Sequence, residues 1–160
     1  MKLFELGKID LQDPVSQYLP GFRFQTVAEE GRTVPVHREC TLHDLLSMAS
    51  GLPYNGEESR ASREAAVVFK ELEGRALGEN PMGTVELANR LGACPLAFHP
   101  GEYWMYGTSA DVLGAVVEVV SGKRFGEFLQ EEFFSPLGMK DAGFFVPKEK
   151  QGRLSKAYTK

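Results

Sequence analysis

Cysteine is scarce in this chain: Cys40 and Cys94 lie far apart, in neither C-x-x-C nor metal-like spacing, which predicts free buried thiols and a reducing compartment rather than a disulfide. Histidine is scarce too. His37, His43 and His99 miss metal-ligand spacing, so neither a metal nor another cofactor is expected. No apolar run is long enough to span a bilayer, and "MKLFELGKID" lacks the long apolar stretch of a signal peptide. A block of like charge is also missing: the net charge of -4 comes from interspersed acids and bases, which excludes nucleic acid and an anionic membrane as expected partners.

What is present is enough to fold. With 160 residues, 42% of them hydrophobic and 25% charged, the chain reads as a single domain over 1–160 with one core. It opens inside a helical pattern, where Leu3, Phe4 and Leu6 precede Gly7 without a capping residue in front. Asp13-Pro14 reads as an N-cap with proline at the first helical position, so "PVSQYLP" predicts a short helix stopped by Pro20-Gly21. "FRFQTV" and "RTVPV" predict a small hairpin, with Pro35 confining the second strand to an edge.

Helices follow. Thr41 and Asp44 form a T-x-x-D capping box that predicts a helix from Leu42 to Ala49, stopped by Gly51. "SREAAVVFKELEGRAL" predicts a longer one capped by Ser62, with Ala66, Phe69 and Leu72 at helical spacing. Thr84 is placed to cap "VELANRLG", ending at Gly92. Thr108 and Asp111 make another capping box for a helix over Ser109–Val120, stopped at Ser121-Gly122. "FGEFLQEEFFSPLGM" gives a last helix ended by Pro136 and Gly138, and "AGFFVP" an extended run.

The stretch "HPGEYWMYGTSADVLG" places Tyr106 just before a helix, where unpaired N–H groups and the macrodipole make the potential positive and favour a phenolate. Proton exchange at neutral pH would need a cationic partner as well, and none is adjacent in the sequence. The residues alone leave two readings open: a chemical tyrosine, or an aromatic plug in which Tyr103, Trp104 and Tyr106 clamp the Pro100-Gly101 turn. His99 before Pro-Gly reads as surface or turn chemistry, and His43 as a surface or partly buried histidine. Ser50 ahead of Gly51 reads as part of the helix end, because no G-x-S-x-G elbow surrounds it. Glu29-Glu30, "GEES" and "QEEF" read as solvated faces.

"GKIDLQDPVSQYLPGF", "TLHDLLSMASGLP", "PLAFHPGEYWMYGTSADVLGAVVEVVSGKRF" and "PLGMKDAGF", in that order, resemble the serine β-lactamase and penicillin-binding-protein superfamily. The branch is that of class C β-lactamases, related esterases and D-stereospecific peptidases. The resemblance implies a serine and a lysine in an S-x-x-K motif and a tyrosine in a Y-x-N motif or variant. Tyr106 falls on that tyrosine and becomes the expected proton-transfer residue of an acyl-enzyme mechanism. "YGT" stands for Y-x-N, which puts Thr108 at the position that binds a substrate amide and leaves esterase or peptidase activity open.

Two family motifs are missing. No S-x-x-K and no late K-T-G or H-x-G strand occur in the 160 residues, and the sequence ends after "LSKAYTK". The expected fold is therefore mainly α with a small β hairpin, the helical subdomain of a β-lactamase/transpeptidase-like fold lacking most of its α/β sheet part. The expected function is that of part of a serine hydrolase acting on a small-molecule amide or ester, inactive alone for want of the nucleophile. Its rivals are a non-enzymatic binding module, discriminated by whether the reading frame continues upstream through S-x-x-K, and a hydrolase using Ser50 or Ser109. Leu3, Phe4 and Leu6 would then expose an apolar patch and promote self-association. The missing signal and disulfide pattern favour a cytoplasmic chain, with a periplasmic or secreted parent also compatible.

Overall fold

Caps and turn residues set most element boundaries, and tertiary contacts set the rest. The computed structural model describes residues 1–156; the last four, the end of "LSKAYTK", lie outside the described residues. The chain forms two compact units, Met1–Lys123 and Arg124–Lys160.

In the first unit, helix α1 (Lys2–Glu5) has no side-chain cap and ends before Gly7, whose φ of 64° is left-handed. Leu3 is buried, whereas Phe4 and Leu6 are exposed, so Leu3 is no part of an exposed patch. Asp13 does not cap the next turn. Its carboxylate instead accepts from the Asp10 N–H at 2.8 Å and from the Tyr18 hydroxyl, and the segment is a 3₁₀ turn, Val15–Gln17, entered from Pro14. Burial and the Asp13 carboxylate together push the Tyr18 phenol up to about 12.

Strands β1 (Thr26–Glu29) and β2 (Arg32–Pro35) form the expected antiparallel hairpin, with Val27 opposite Val34. The first strand starts later than expected, because Phe22 closes a 3₁₀ turn, Pro20–Phe22, and packs into the core. Leu96 bonds to the free side of β1, its N–H to the Thr26 carbonyl at 2.8 Å and its carbonyl to the Ala28 N–H at 2.9 Å. That contact ties the chain just before His99 to the hairpin.

Helix α2 (Leu42–Leu46) carries the Thr41–Asp44 capping box in both directions. It stops short of Ala49 because Met48 turns left-handed, at φ 57°. Helix α3 (Arg60–Arg75) is capped by Ser59, whose Oγ accepts from the Ser62 N–H at 3.0 Å, so the cap lies three residues before the expected Ser62. Its buried face is Ala61, Ala65 and Val68, with Phe69 at its margin. Helix α4 (Thr84–Ala93) follows Gly83 with no side-chain cap, so Thr84 lies inside the helix rather than ahead of it. Pro95 then holds Cys94 extended, at ψ 152°. Helix α5 (Ser109–Ser121) ends as expected at Gly122, left-handed at φ 69°.

The main core joins the 3₁₀ turns, the hairpin, α2 and α5 through Leu19, Phe22, Val27, Leu45, Leu96 and Val112. Both cysteines are free; Cys40 is buried in this core and its thiol is pushed up by desolvation.

In the second unit, helix α6 (Phe125–Leu129) continues as a π-helical turn, Gln130–Phe134, and ends by Gly138 at φ 66°. "AGFFVP" forms bends rather than a strand, with Phe144 against Phe125 at 5.9 Å. A 3₁₀ turn, Lys148–Arg153, follows, and Asp141 accepts from Arg153 at 2.6 Å and Lys150 at 3.0 Å. No helix among the described residues is long and apolar enough to cross a membrane.

Candidate active site

Two segments of the first unit, 48–54 after α2 and 99–109 before and into α5, meet side by side. The Gly101 N–H donates to the Ala49 carbonyl at 2.8 Å and the Met105 N–H to the Met48 carbonyl at 3.0 Å. Gly107 passes so close to Leu52 that a Cβ at 107 would lie 1.9 Å from the Leu52 carbonyl oxygen. Only glycine fits there.

This junction presents Tyr106. The residue is 63% exposed, ahead of the N-terminus of a helix of 13 residues, and its ring lies 5.6 Å from that of Tyr54. A hydrogen bond to Tyr106 pushes the Tyr54 phenol above its ordinary value, with burial and the charge of Asp111 adding to it. Tyr103 and Trp104 are exposed as well, so the three aromatic rings do not form a plug; Tyr103 rests edge-on against Phe98 at 5.5 Å.

Thr108 lies elsewhere than a surface cap. It is 0% exposed and its hydroxyl donates to the Pro53 carbonyl at 3.4 Å. The Thr108–Asp111 capping box therefore does not form, because the hydroxyl is taken by a tertiary partner. Ser50 and Ser109, the alternative nucleophiles, are 1% and 0% exposed and bond to each other at 2.8 Å. Tyr54 is the residue that motif reasoning missed. The stretch "TLHDLLSMASGLP" ends one position before it.

Beside this junction is a polar cluster that sequence spacing hides. His99 is buried, not a surface residue; its Nδ1 accepts from the His37 N–H at 3.2 Å and its ring stacks on that of His37 at 3.5 Å and 9°. Glu102 lies 3.4 Å from His37 Nδ1 and Glu29 3.8 Å from His99 Nε2. His37, His99 and Glu102 bring donor atoms within 4.8 Å of one another. Rings stacked face to face keep their lone pairs in two parallel planes, however, and an ion cannot lie in both planes at once as they stand. Beneath Gly101, Arg38 makes a two-pronged pair with the buried Asp44 at 2.6 and 2.8 Å.

The fold that carries these residues is that of the serine β-lactamases. The solved structure of "EstCE1, a hydrolase with promiscuous acyltransferase activity" superposes with a TM-score of 0.67 at 25% identity, over 92% of this chain and 36% of that one. Simvastatin synthase (LovD) from Aspergillus terreus gives 0.65 at 27% identity, over 95% of this chain and 36% of that one. By sequence, esterase EstB of Burkholderia gladioli is 34% identical over 90% of this chain and 34% of its own length. The fold is the mostly helical part of the serine β-lactamase and penicillin-binding-protein superfamily. The chain belongs to the family described as Beta-lactamase, whose model matches residues 1–160. It spans about a third of the length of these relatives.

Proposed function

We propose that these residues are the helical part of a serine hydrolase that acts on a small-molecule ester or amide through an acyl-enzyme, with Tyr106 as its proton-transfer residue. One observation carries the reading: the tyrosine at the family motif position is exposed at the mouth of the junction, on a backbone held from both sides. The serine hydroxyl loses its proton as its oxygen attacks the carbonyl, and the leaving group must gain one. Tyr106 takes that proton as the phenolate, held in that form by the lysine of the S-x-x-K motif that the family supplies, and as the phenol gives it to the leaving group; Tyr54, hydrogen-bonded to Tyr106, stands beside the oxygen that changes charge. Thr108 occupies the substrate-amide position of the motif but is buried and turns its hydroxyl to Pro53, so it offers a substrate amide no exposed hydrogen-bonding side chain there. That favours an ester over a β-lactam as substrate, in keeping with the esterase relative.

The 160-residue chain contains no S-x-x-K, and its two site serines are buried against each other, so it is inactive alone. Intact-mass spectrometry of the folded chain after a fluorophosphonate, and separately after a penicillin, gives no adduct; a stoichiometric adduct would overturn the placement of the nucleophile outside these residues. In a longer reading frame that supplies S-x-x-K, Tyr106→Phe lowers kcat on a p-nitrophenyl ester by about 10²- to 10⁴-fold. An unchanged kcat overturns the role of Tyr106. Exposed Tyr103 and Trp104 favour the second reading, a binding module, and a reading frame that starts at Met1 with no upstream motif would support it.

A further inference from the structure

We infer that Ser50 and Ser109 are positioning residues: their buried hydroxyl pair clasps the two site segments in register and thereby sets Tyr106 against Tyr54. The inference rests on the reading of Tyr106 as the proton-transfer residue, and it begins from a pairing that chain order does not suggest. Ser50 meets Ser109, Leu52 meets Gly107, and Tyr54 meets Tyr106. Over 50–54 and 106–109 the numbers rise along one segment and fall along the other, while the earlier part of the second segment turns back, with Gly101 on Ala49 and Met105 on Met48. The bottom rung is buried and hydroxylic; the top rung is exposed and phenolic.

A side chain at the bottom rung can act as nucleophile only if substrate reaches it and a base activates it. Neither condition holds. Both serines are at most 1% exposed, and the Ser50 oxygen is already engaged by Ser109 at 2.8 Å and by the Leu52 N–H at 3.2 Å. What the pair supplies is direction. Two alanines would leave the apolar packing largely in place but would strip the Leu52 N–H of its Ser50 partner. They would not fix the separation of the segments. A hydroxyl pair does, because its bond is made only near one distance and angle. The Leu52 N–H, bonded to the same Ser50 oxygen, carries that constraint along the turn toward Pro53 and Tyr54, while Ser109 is the first residue of α5 and lies three positions after Tyr106.

The test reads the top rung while changing the bottom one. In the folded chain labelled with ¹³Cζ-tyrosine, NMR follows the titration of Tyr54, assigned through Tyr54→Phe. Its midpoint is expected to lie above the ordinary tyrosine value in the wild type and to fall in Tyr106→Phe, with Asp111→Asn reporting how much of the rise is charge alone. Ser109→Ala is expected to bring the Tyr54 midpoint toward the Tyr106→Phe value while the helical circular dichroism is retained. Ser109→Thr, which keeps the hydroxyl, is expected to hold it near the wild-type value. Ser47→Ala, which removes a hydroxyl bonded back to the α2 carbonyls of His43 at 2.8 Å and Asp44 at 3.4 Å, is the control and is expected to leave it unmoved. An unchanged Tyr54 titration in folded Ser109→Ala overturns the clasp. Should that variant not fold, Ser50→Ala, which removes the other hydroxyl of the pair, supplies the same comparison, and an unmoved midpoint there overturns the clasp equally. No turnover enters this measurement. A full kcat in Tyr106→Phe of the longer frame would therefore sink the catalytic reading alone, and an unmoved Tyr54 would sink the clasp alone.

Discussion

At position 44 a buried carboxylate accepts two bonds from Arg38 and one each from the N–H and hydroxyl of Thr41. Burial pushes its pKa up, but the Arg38 and Thr41 bonds outweigh burial and hold it below the ordinary carboxylate value. A lowered folded value means stability that is fully present above the unfolded pKa of about 4 and is lost as pH falls through the folded value. Asp44→Asn is therefore expected to flatten the acid limb of the stability–pH curve, measured by thermal melts between neutral and strongly acid pH. Arg38→Ala, which strips the carboxylate of its cation, is expected to lower stability at neutral pH by about 2 kcal/mol. Half of this site was legible in the sequence. Thr41 and Asp44 stand at the spacing of a capping box, a local pattern; nothing local announces that Arg38 folds back onto Asp44, and nothing in the spacing of His37 and His99 announces a stack.

Among the elements, helix existence was legible and cap identity less so. Ser59 and Ser62 stand three residues apart, and either could open α3; the structure uses Ser59 as the cap. Thr108 has the spacing of a cap, yet Pro53, 55 residues away, takes its hydroxyl. Tertiary demand overrides a local preference that is worth about 1 kcal/mol. The contact between segments 48–54 and 99–109 also yields a prediction. Gly107→Ala drives a methyl into backbone, not into a side chain that can swing away, so the segments must part. The expected loss is about 1–3 kcal/mol in thermal or urea melts. A melt unchanged from wild type would show that the close approach of Gly107 to Leu52 is dispensable.

For the molecule as a whole, the family resemblance makes Tyr106 a candidate in the sequence, because one of four ordered motifs contains it; composition leaves it indistinguishable from packing. Its partner Tyr54 is hidden there, since pairing across the fold leaves no mark on the order of residues. The chain also exposes large apolar side chains, among them Phe4, Leu6, Phe24, Tyr103 and Trp104 in the first unit and Phe144 and Phe145 in the second. Exposed apolar area of this kind drives association. Light scattering of the 160-residue chain is expected to show an apparent mass that rises with concentration. A concentration-independent monomer would count against that expectation.

The clasp spans 59 residues and the Thr108–Pro53 bond 55, whereas the helix caps close over three. Closing a long loop costs more chain entropy than closing a short one, and contacts between distant residues slow folding. The caps and helices of the first unit can thus form early, each on its own stretch of chain. The tyrosine pair must wait until α2 and α5 have found each other. Tyr106 acquires its setting only when that long-range contact forms, and a chain without it carries the same tyrosine without its environment.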